Sequence, residues 1–434
     1  MPALRPQDEV VRICQELIRI DTSNFGDNAG PGERAAAEYA AGLLEEVGLS
    51  TEIFESSPGR ASVVTRMAGE DPSADALVVH GHLDVVPAQK EDWQVDPFSG
   101  EEKDGLIWGR GAVDMKDMDA MILSVARDMA RTGTKPKRDI VFAFFADEEA
   151  GGKYGARWAV DNRPELFDGA TEAISEVGGF SANIGGKRAY LLQTAEKGIA
   201  WLRLAVSGRA GHGSQINTDN AVTTLAGAVG RIGAHQWPIE LTDTSRRFLD
   251  GVTELTGVEF DPDNPDILLK ELGTVARFVG ATLQNTSNPT VLKAGYKENV
   301  IPGLAEARID ARTLPGQDEL VLAKIQELAG QDVDISYIHQ DSALEVPFAG
   351  NLVDAMVDSL RHEDPEAVVL PYTLSGGTDN KSLARLGITG YGFAPLQLPD
   401  DLDFTGMFHG VDERVPVDSL KFGTRVLQRL LTTY

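Results

Sequence analysis

The chain has a single cysteine, Cys14, among its 434 residues. An intrachain disulfide is therefore impossible, and a zinc site built from several thiolates is excluded. Cys14 lies in the helical-period segment VVRICQELIRI, where it reads as a core residue. Long apolar runs are missing too. No stretch reaches the length needed to span a bilayer, and the opening MPALRPQDEV carries neither an apolar core nor a cleavage signature. These absences lead to the expectation of a cytoplasmic protein. Basic charge is scarce: 40 Lys and Arg stand against 67 Asp and Glu, a formal net charge of −27. Such a surface repels phosphate backbones and anionic headgroups, which argues against nucleic acid and membrane as partners. Most of the acid reads as a solvated surface, because a cation site needs only a handful of carboxylates.

The hydrophobic share of 42% with 25% charged residues belongs to a soluble globular protein. The length exceeds one ordinary core, so two domains are expected. Periodicity predicts helices over Asp8–Ile20, Glu33–Val47 and Asp114–Arg131, and strands over Ser62–Arg66, Ala76–Val79, Asp139–Ala146 and Ala170–Ser175. The run DIVFAFFA is too short for a buried helix and continuously apolar, as a central strand is. Strands alternating with helices imply a mostly parallel mixed sheet, sandwiched by helices, in an α/β fold. From about Lys197 the texture changes to hairpin-like strands (Thr290–Lys293, Glu306–Arg312, Val333–Ile338) with a helix at Gln317–Leu328. The stretch Trp237–Pro265 reads as irregular, and after Val346 the helix-strand alternation resumes. This order predicts a parent domain of residues 1–195 and 346–434, with a smaller α+β unit, 196–345, inserted into it.

Chemistry-bearing residues gather where the predicted strands end. His82 and Asp84 follow Ala76–Val79 in HGHLDVVP; Asp147, Glu148 and Glu149 follow DIVFAFFA; Glu176 follows Ala170–Ser175. Open α/β sheets collect their sites at this carboxyl edge. Alone, the acidic triplet is a solvated turn, and Asp114 in GRGAVDMK is a helix N-cap. Neighbouring residues at a strand end, however, project in divergent directions, so one carboxylate can ligate a metal while the next accepts a proton. A pair of divalent cations needs about five mixed imidazole and carboxylate ligands, one of them bridging. His82, Asp114, Glu149, Glu176 and His409 supply that set. His235, His339 and His362 have no supporting neighbours, and His80 reads as structural.

These ordered motifs, HGHLDVVP, GRGAVDMK, FFADEEAGG, SEVGG and FHGVDERVPVD, resemble the dinuclear-zinc metallopeptidase and deacylase family that includes glutamate carboxypeptidase, aminoacylase, acetylornithine deacetylase, succinyl-diaminopimelate desuccinylase and carboxypeptidase S. The resemblance covers nearly the whole chain. It implies two Zn2+ per subunit, with Co2+ or Mn2+ as substitutes. Asp114 would bridge them, His82 and Glu176 would complete one site, and Glu149 and His409 the other. Asp84 would orient His82, and Glu148 would be the general base. The inserted unit would be a lid and dimerisation domain, giving a homodimer in which His212 of GRAGHGS reaches the partner's active site. Asn299 of KENVIPG, Arg312 of DARTLPG and the Gly377-Thr378 turn would hold the substrate. From the residues alone, Arg312 is equally an ordinary strand-end cation and Asn299 a turn residue. Glutamate at 176 is more typical of the deacylase-like members, and the insert ATLQNTSNPTVLKAGYKENVIPG is similar to the carboxypeptidase S branch. The expected reaction is hydrolysis of an amide next to a free carboxylate, in a peptide or N-acyl amino acid. Two alternatives are a deacylase of a small biosynthetic intermediate and a metal-free ligand-binding relative.

Overall fold

The computed structural model describes residues 5–434. Its larger sheet runs in the order Thr51–Ser57, Arg60–Met67, Ile140–Phe145, Ala76–His82, Ala170–Ser175, Thr389–Gly392, Lys187–Glu196, Leu344–Glu345, and Val368–Leu374 and Phe180–Ile184 also pair with Lys187–Glu196. At its centre Ala76–His82 is parallel to both neighbours, and Ala170–Ser175 is parallel to Thr389–Gly392. The first two strands form an antiparallel flank.

Every residue of Ala76–His82 and of Ile140–Phe145 is buried, as their apolar runs require. Alternation along these strands feeds two separate cores. Leu77, Val79, Phe142 and Phe144 join the core under the helices Pro6–Arg19, Lys116–Thr132 and Val417–Thr433. Val78, Val141, Ala143 and Phe145 join the opposite one, with Ala156, Ala159 and Leu383. Helices on both faces leave the strand ends as the open edge.

A second sheet is antiparallel throughout, in the order Thr286–Ala294, Leu304–Thr313, Gly198–Ser207, Asp334–Asp341. Helices Ala221–Ala234 and Asp318–Ala329 cover one face, where Leu202, Leu204 and Val206 meet Leu225 and Ile325. On the uncovered face, Ile199 sits between Arg312 and Asp341, and Trp201 between Asp310 and His339.

One part of the expected inserted segment packs elsewhere. The stretch read as irregular, Trp237–Pro265, contains the helix Asp243–Thr256, with the Thr242 side chain accepting from Ser245 N at its start and left-handed Gly257 at its end. Phe248, Leu249 and Val252 of this helix, and Leu268, Leu272, Val275 and Val279 beyond it, bury in the larger core. An amphipathic stripe whose partner sheet lies in the parent core explains the return. Segment 196–345 therefore leaves the larger core, comes back to it and leaves again.

Candidate active site

Two groups of potential metal ligands share one residue. Donor atoms of His82, Asp114 and Glu176 lie within 4.8 Å of one another, and so do those of Asp114, Glu149 and His409. Asp114 turns one carboxylate oxygen to each imidazole: Oδ1 is 3.2 Å from His82 Nε2, and Oδ2 is 3.2 Å from His409 Nε2. Glu176 stands 3.5 Å from His82 Nε2, and Glu149 stands 3.0 Å from His409 Nε2. The five side chains come from five separate strand ends or loops spread over 328 positions of sequence (82 to 409), all at the carboxyl edge of the larger sheet.

Asp114 does not cap the helix that follows it. That helix begins at Lys116, with Met115 at the N-cap and no side-chain cap bond. A buried carboxylate that the sequence did not single out holds the loop instead. Glu413 accepts from Arg110 Nη1 (2.8 Å), Gly111 N (3.0 Å), Val113 N (2.7 Å) and Asp114 N (3.1 Å). Gly111 is required here: at φ +88° a Cβ would lie 2.9 Å from both Val85 and Lys116 side-chain carbons.

His82 Nδ1 lies 2.9 Å from the Asp84 backbone carbonyl, to which it donates, and 3.6 Å from the Asp84 carboxylate. This bond fixes the tautomer and leaves the Nε2 lone pair facing Asp114 and Glu176. The orienting group is thus the carbonyl of Asp84 more than its side chain. The Asp84 carboxylate instead accepts from the backbone N–H groups of Glu148 (3.0 Å) and Glu149 (3.1 Å), shaping the acidic turn. Asn24, also absent from the sequence reading, donates to Asp84 (2.9 Å) and Asp147 (3.0 Å) at once and accepts from Arg60.

The electrostatics follow from packing these carboxylates together. Burial, with Glu176 and other acids nearby, pushes Glu148 well above the usual carboxylate range. Burial and Asp114 push Glu149 up to about 7, and burial also raises Glu176. Hydrogen bonds to Asp114 and Glu149 raise the His409 imidazolium to about 10. Several acids disfavour their own charge here, a conflict that bound cations would relieve. Imidazole nitrogens plus carboxylate oxygens, with one carboxylate facing both groups, fit a pair of divalent transition-metal ions.

A cleft of about 280 Å3 opens onto this cluster, lined by Glu148, Glu149, His409, Arg312, Gly377 and Thr378 among others. Arg312 already forms a two-point contact with Asp310, at 2.7 and 3.2 Å, leaving its other N–H groups for a ligand. The Thr378 hydroxyl is taken by Glu196 at 2.6 Å, so this residue serves the loop's shape before it serves a ligand. His212 and Asn299 are not in the cleft wall. Both are exposed on the ribbon Gly211–His212 with Val300–Ile301, and the His212 ring lies 2.8 Å from Ser214 Oγ. His339, set aside from sequence, does line the cleft, with Nε2 2.7 Å from Asp341. His80 is fully buried against Asn380, and His235 packs on Trp237, as structural residues do.

The model of the family described as "Peptidase family M20/M25/M40" matches residues 78–433. The chain is 30% identical over 456 residues to the mouse (Mus musculus) N-fatty-acyl-amino acid synthase/hydrolase PM20D1, covering 96% of this chain and 87% of the relative. Human (Homo sapiens) aminoacylase-1 is 26% identical over 442 residues, covering 99% and 97%. Among solved structures, the M20 family metallo-carboxypeptidase Sso-CP2 from Sulfolobus solfataricus superposes with a TM-score of 0.76 at 18% identity, over 98% of this chain and 99% of that one. The chain belongs to peptidase family M20/M25/M40 and is a hydrolase.

Proposed function

We propose that the protein hydrolyses an amide bond adjacent to a free carboxylate, in a peptide or an N-acyl amino acid, using two zinc ions. The observation that carries this reading is Asp114, whose two oxygens each face a different imidazole at 3.2 Å. Zinc suits the mixed donors, and cobalt or manganese suits them too. When bound, such cations act as Lewis acids toward the scissile carbonyl and toward water. Among the chain's own groups, Glu148 takes the proton of the attacking water and returns it to the leaving nitrogen; burial has already raised its proton affinity. His82 and His409 hold the two ends of the cluster, with Asp114 between them. The free N–H groups of Arg312 orient the substrate carboxylate by bidentate bonding. Gly377 keeps the opposite wall low: a Cβ there would stand 3.0 Å from Lys381 and 3.3 Å from Ile199.

The exposed ribbon belongs to the same proposal. His212 and Asn299 act on the site of a partner subunit in a homodimer formed through the smaller sheet. Ile216 and Tyr296, 90% and 83% exposed beside that ribbon, would be covered in the dimer. His212 then stabilises the developing oxyanion. Mixing inactive His212→Ala and Glu148→Ala subunits restores part of the activity if this holds. No recovery after verified subunit exchange removes the partner role. Among the described residues no helix is long and apolar enough to cross a membrane, and cytoplasmic residence is kept as part of the proposal.

A deacylase of small biosynthetic intermediates is the second reading, favoured by the end-to-end match to aminoacylase-1. Mass-spectrometric screening of the zinc-loaded enzyme against dipeptides and N-acetyl, N-succinyl and long-chain N-acyl amino acids separates the two. Turnover of none of them overturns both.

A further inference from the structure

Beside Arg312, the cleft has a stretch of wall that neither the proton transfer nor the carboxylate contact uses. It belongs to the uncovered face of the smaller sheet, where Ile199, Trp201 and His339 line the opening. The Trp201 and His339 rings lie 5.3 Å apart, centre to centre, at 49°. Trp201 is 40% exposed although it sits at an active-site mouth, and a large aromatic surface left bare there calls for a partner. Trp201 also lines a second hollow of about 190 Å3 with Val291 and Ile338, so apolar surface continues away from the acidic turn.

His339 is fixed from several directions. Asp341 holds its Nε2 at 2.7 Å, and Arg157, from the helix Ala156–Asn162 packed on the larger sheet, pairs with Asp341 from the other side. Gly151, just past the Glu148–Ala150 turn, makes room for the ring: a Cβ there would lie 3.2 Å from His339 Cε1. The ring therefore spans from the smaller sheet to the acidic turn within one chain. A half-buried ring held by Asp341 and backed by tryptophan is a preformed flat surface.

We propose that Trp201 and His339 form a specificity wall for a flat or apolar substituent of the substrate, contributed by the same chain that carries Glu148. The inference rests on the hydrolase reading given above and adds the substrate class. Three probes differ only in that substituent: N-acetylglycine carries none, N-benzoylglycine carries one on the acyl side, and N-acetylphenylalanine carries one on the amino-acid side.

The expected result is that His339→Ala and Trp201→Ala each lower kcat/KM about tenfold for one aromatic probe, through KM, while N-acetylglycine stays within about twofold. His339→Phe, which keeps the ring, restores most of the loss. Which aromatic probe responds identifies the side of the amide that faces the wall. Equal losses on all three probes overturn the proposal, and so does a His339→Phe variant no better than His339→Ala. Calorimetric binding of the same probes to zinc-loaded Glu148→Ala, with and without His339→Ala, keeps the two readings separate. Selective binding without turnover in the native protein leaves the wall and removes the hydrolase; turnover without selectivity does the reverse.

Discussion

The two sheets present their functional groups in opposite ways. At the edge of the larger sheet the carboxylates and His82 are largely buried, His409 alone of the five standing exposed, and backbone N–H groups hold the carboxylates that shape the site. Asp84 receives two such bonds from the acidic turn, and Glu413 receives three from the loop leading to Asp114. On the smaller sheet, Arg312 and His339 are partly exposed and each is held by one carboxylate two positions away, Asp310 and Asp341. Backbone donors are set by the fold and move little, whereas a side-chain partner on the same strand travels with its neighbour. The comparison separates a part held by backbone donors, to which the proposal gives the chemistry, from a part held by side-chain partners, to which it gives the reading of substrate.

The strongest way to break this comparison is at Glu148. Glu148→Ala should lower kcat by about 10²–10⁴-fold with metal content unchanged, as read by steady-state kinetics and elemental analysis. Loss of metal in that variant would make Glu148 a ligand. Next comes Glu413→Gln, which turns an amide N–H toward donors that now meet a carboxylate. Chelator competition should show metal affinity lower by about 10–100-fold in a folded protein; unchanged affinity would mean the loop keeps its shape without Glu413. Metal removal itself should lower Tm by several degrees, reversed by zinc, because five ligands lose the cations that hold their charges together. An unchanged Tm would contradict a cluster that depends on bound cations.

On the smaller sheet the effects should be milder and fall on KM. Arg312→Lys should raise KM about tenfold with kcat nearly unchanged, since lysine gives no two-point contact. A fall in kcat of the same size would move Arg312 into the chemical step. The smallest effect is expected at His362, exposed on the helix Asn351–Glu363. His362→Ala should leave activity intact and stability within about 0.5 kcal/mol.

The same contrast decides what could be read from the sequence. Each candidate ligand of the larger sheet announces itself locally, because it follows an apolar strand or sits in a glycine-flanked turn. DIVFAFFADEE carries both the buried strand and its acids, and HGHLD does the same. Glu413 and Asn24 were not legible, because their partners lie about 300 and 60 to 123 positions away. A carboxylate that collects backbone N–H groups looks like any other in sequence. His339 gave no signal, since its role comes from a strand register that sets it opposite Trp201 and from Gly151 across the cleft. The helix Asp243–Thr256 had readable ends in Thr242 and Gly257, but the Pro- and Asp-bearing residues around it obscured the period. Its packing on the parent core depends on tertiary placement that periodicity does not encode.

Glu413 has a consequence for truncated forms of the chain. It and His409 come from the final loop and strand, ahead of the last helix, Val417–Thr433. A nascent chain that stops short of His409 already holds His82, Asp114, Glu149 and Glu176, yet the loop at 110–114 has no carboxylate to gather its N–H groups. Both halves of the cluster therefore depend on residues 409–413, His409 directly and Asp114 through Glu413. A truncation before His409 keeps the strands of the larger sheet but should show neither metal-linked stabilisation nor turnover.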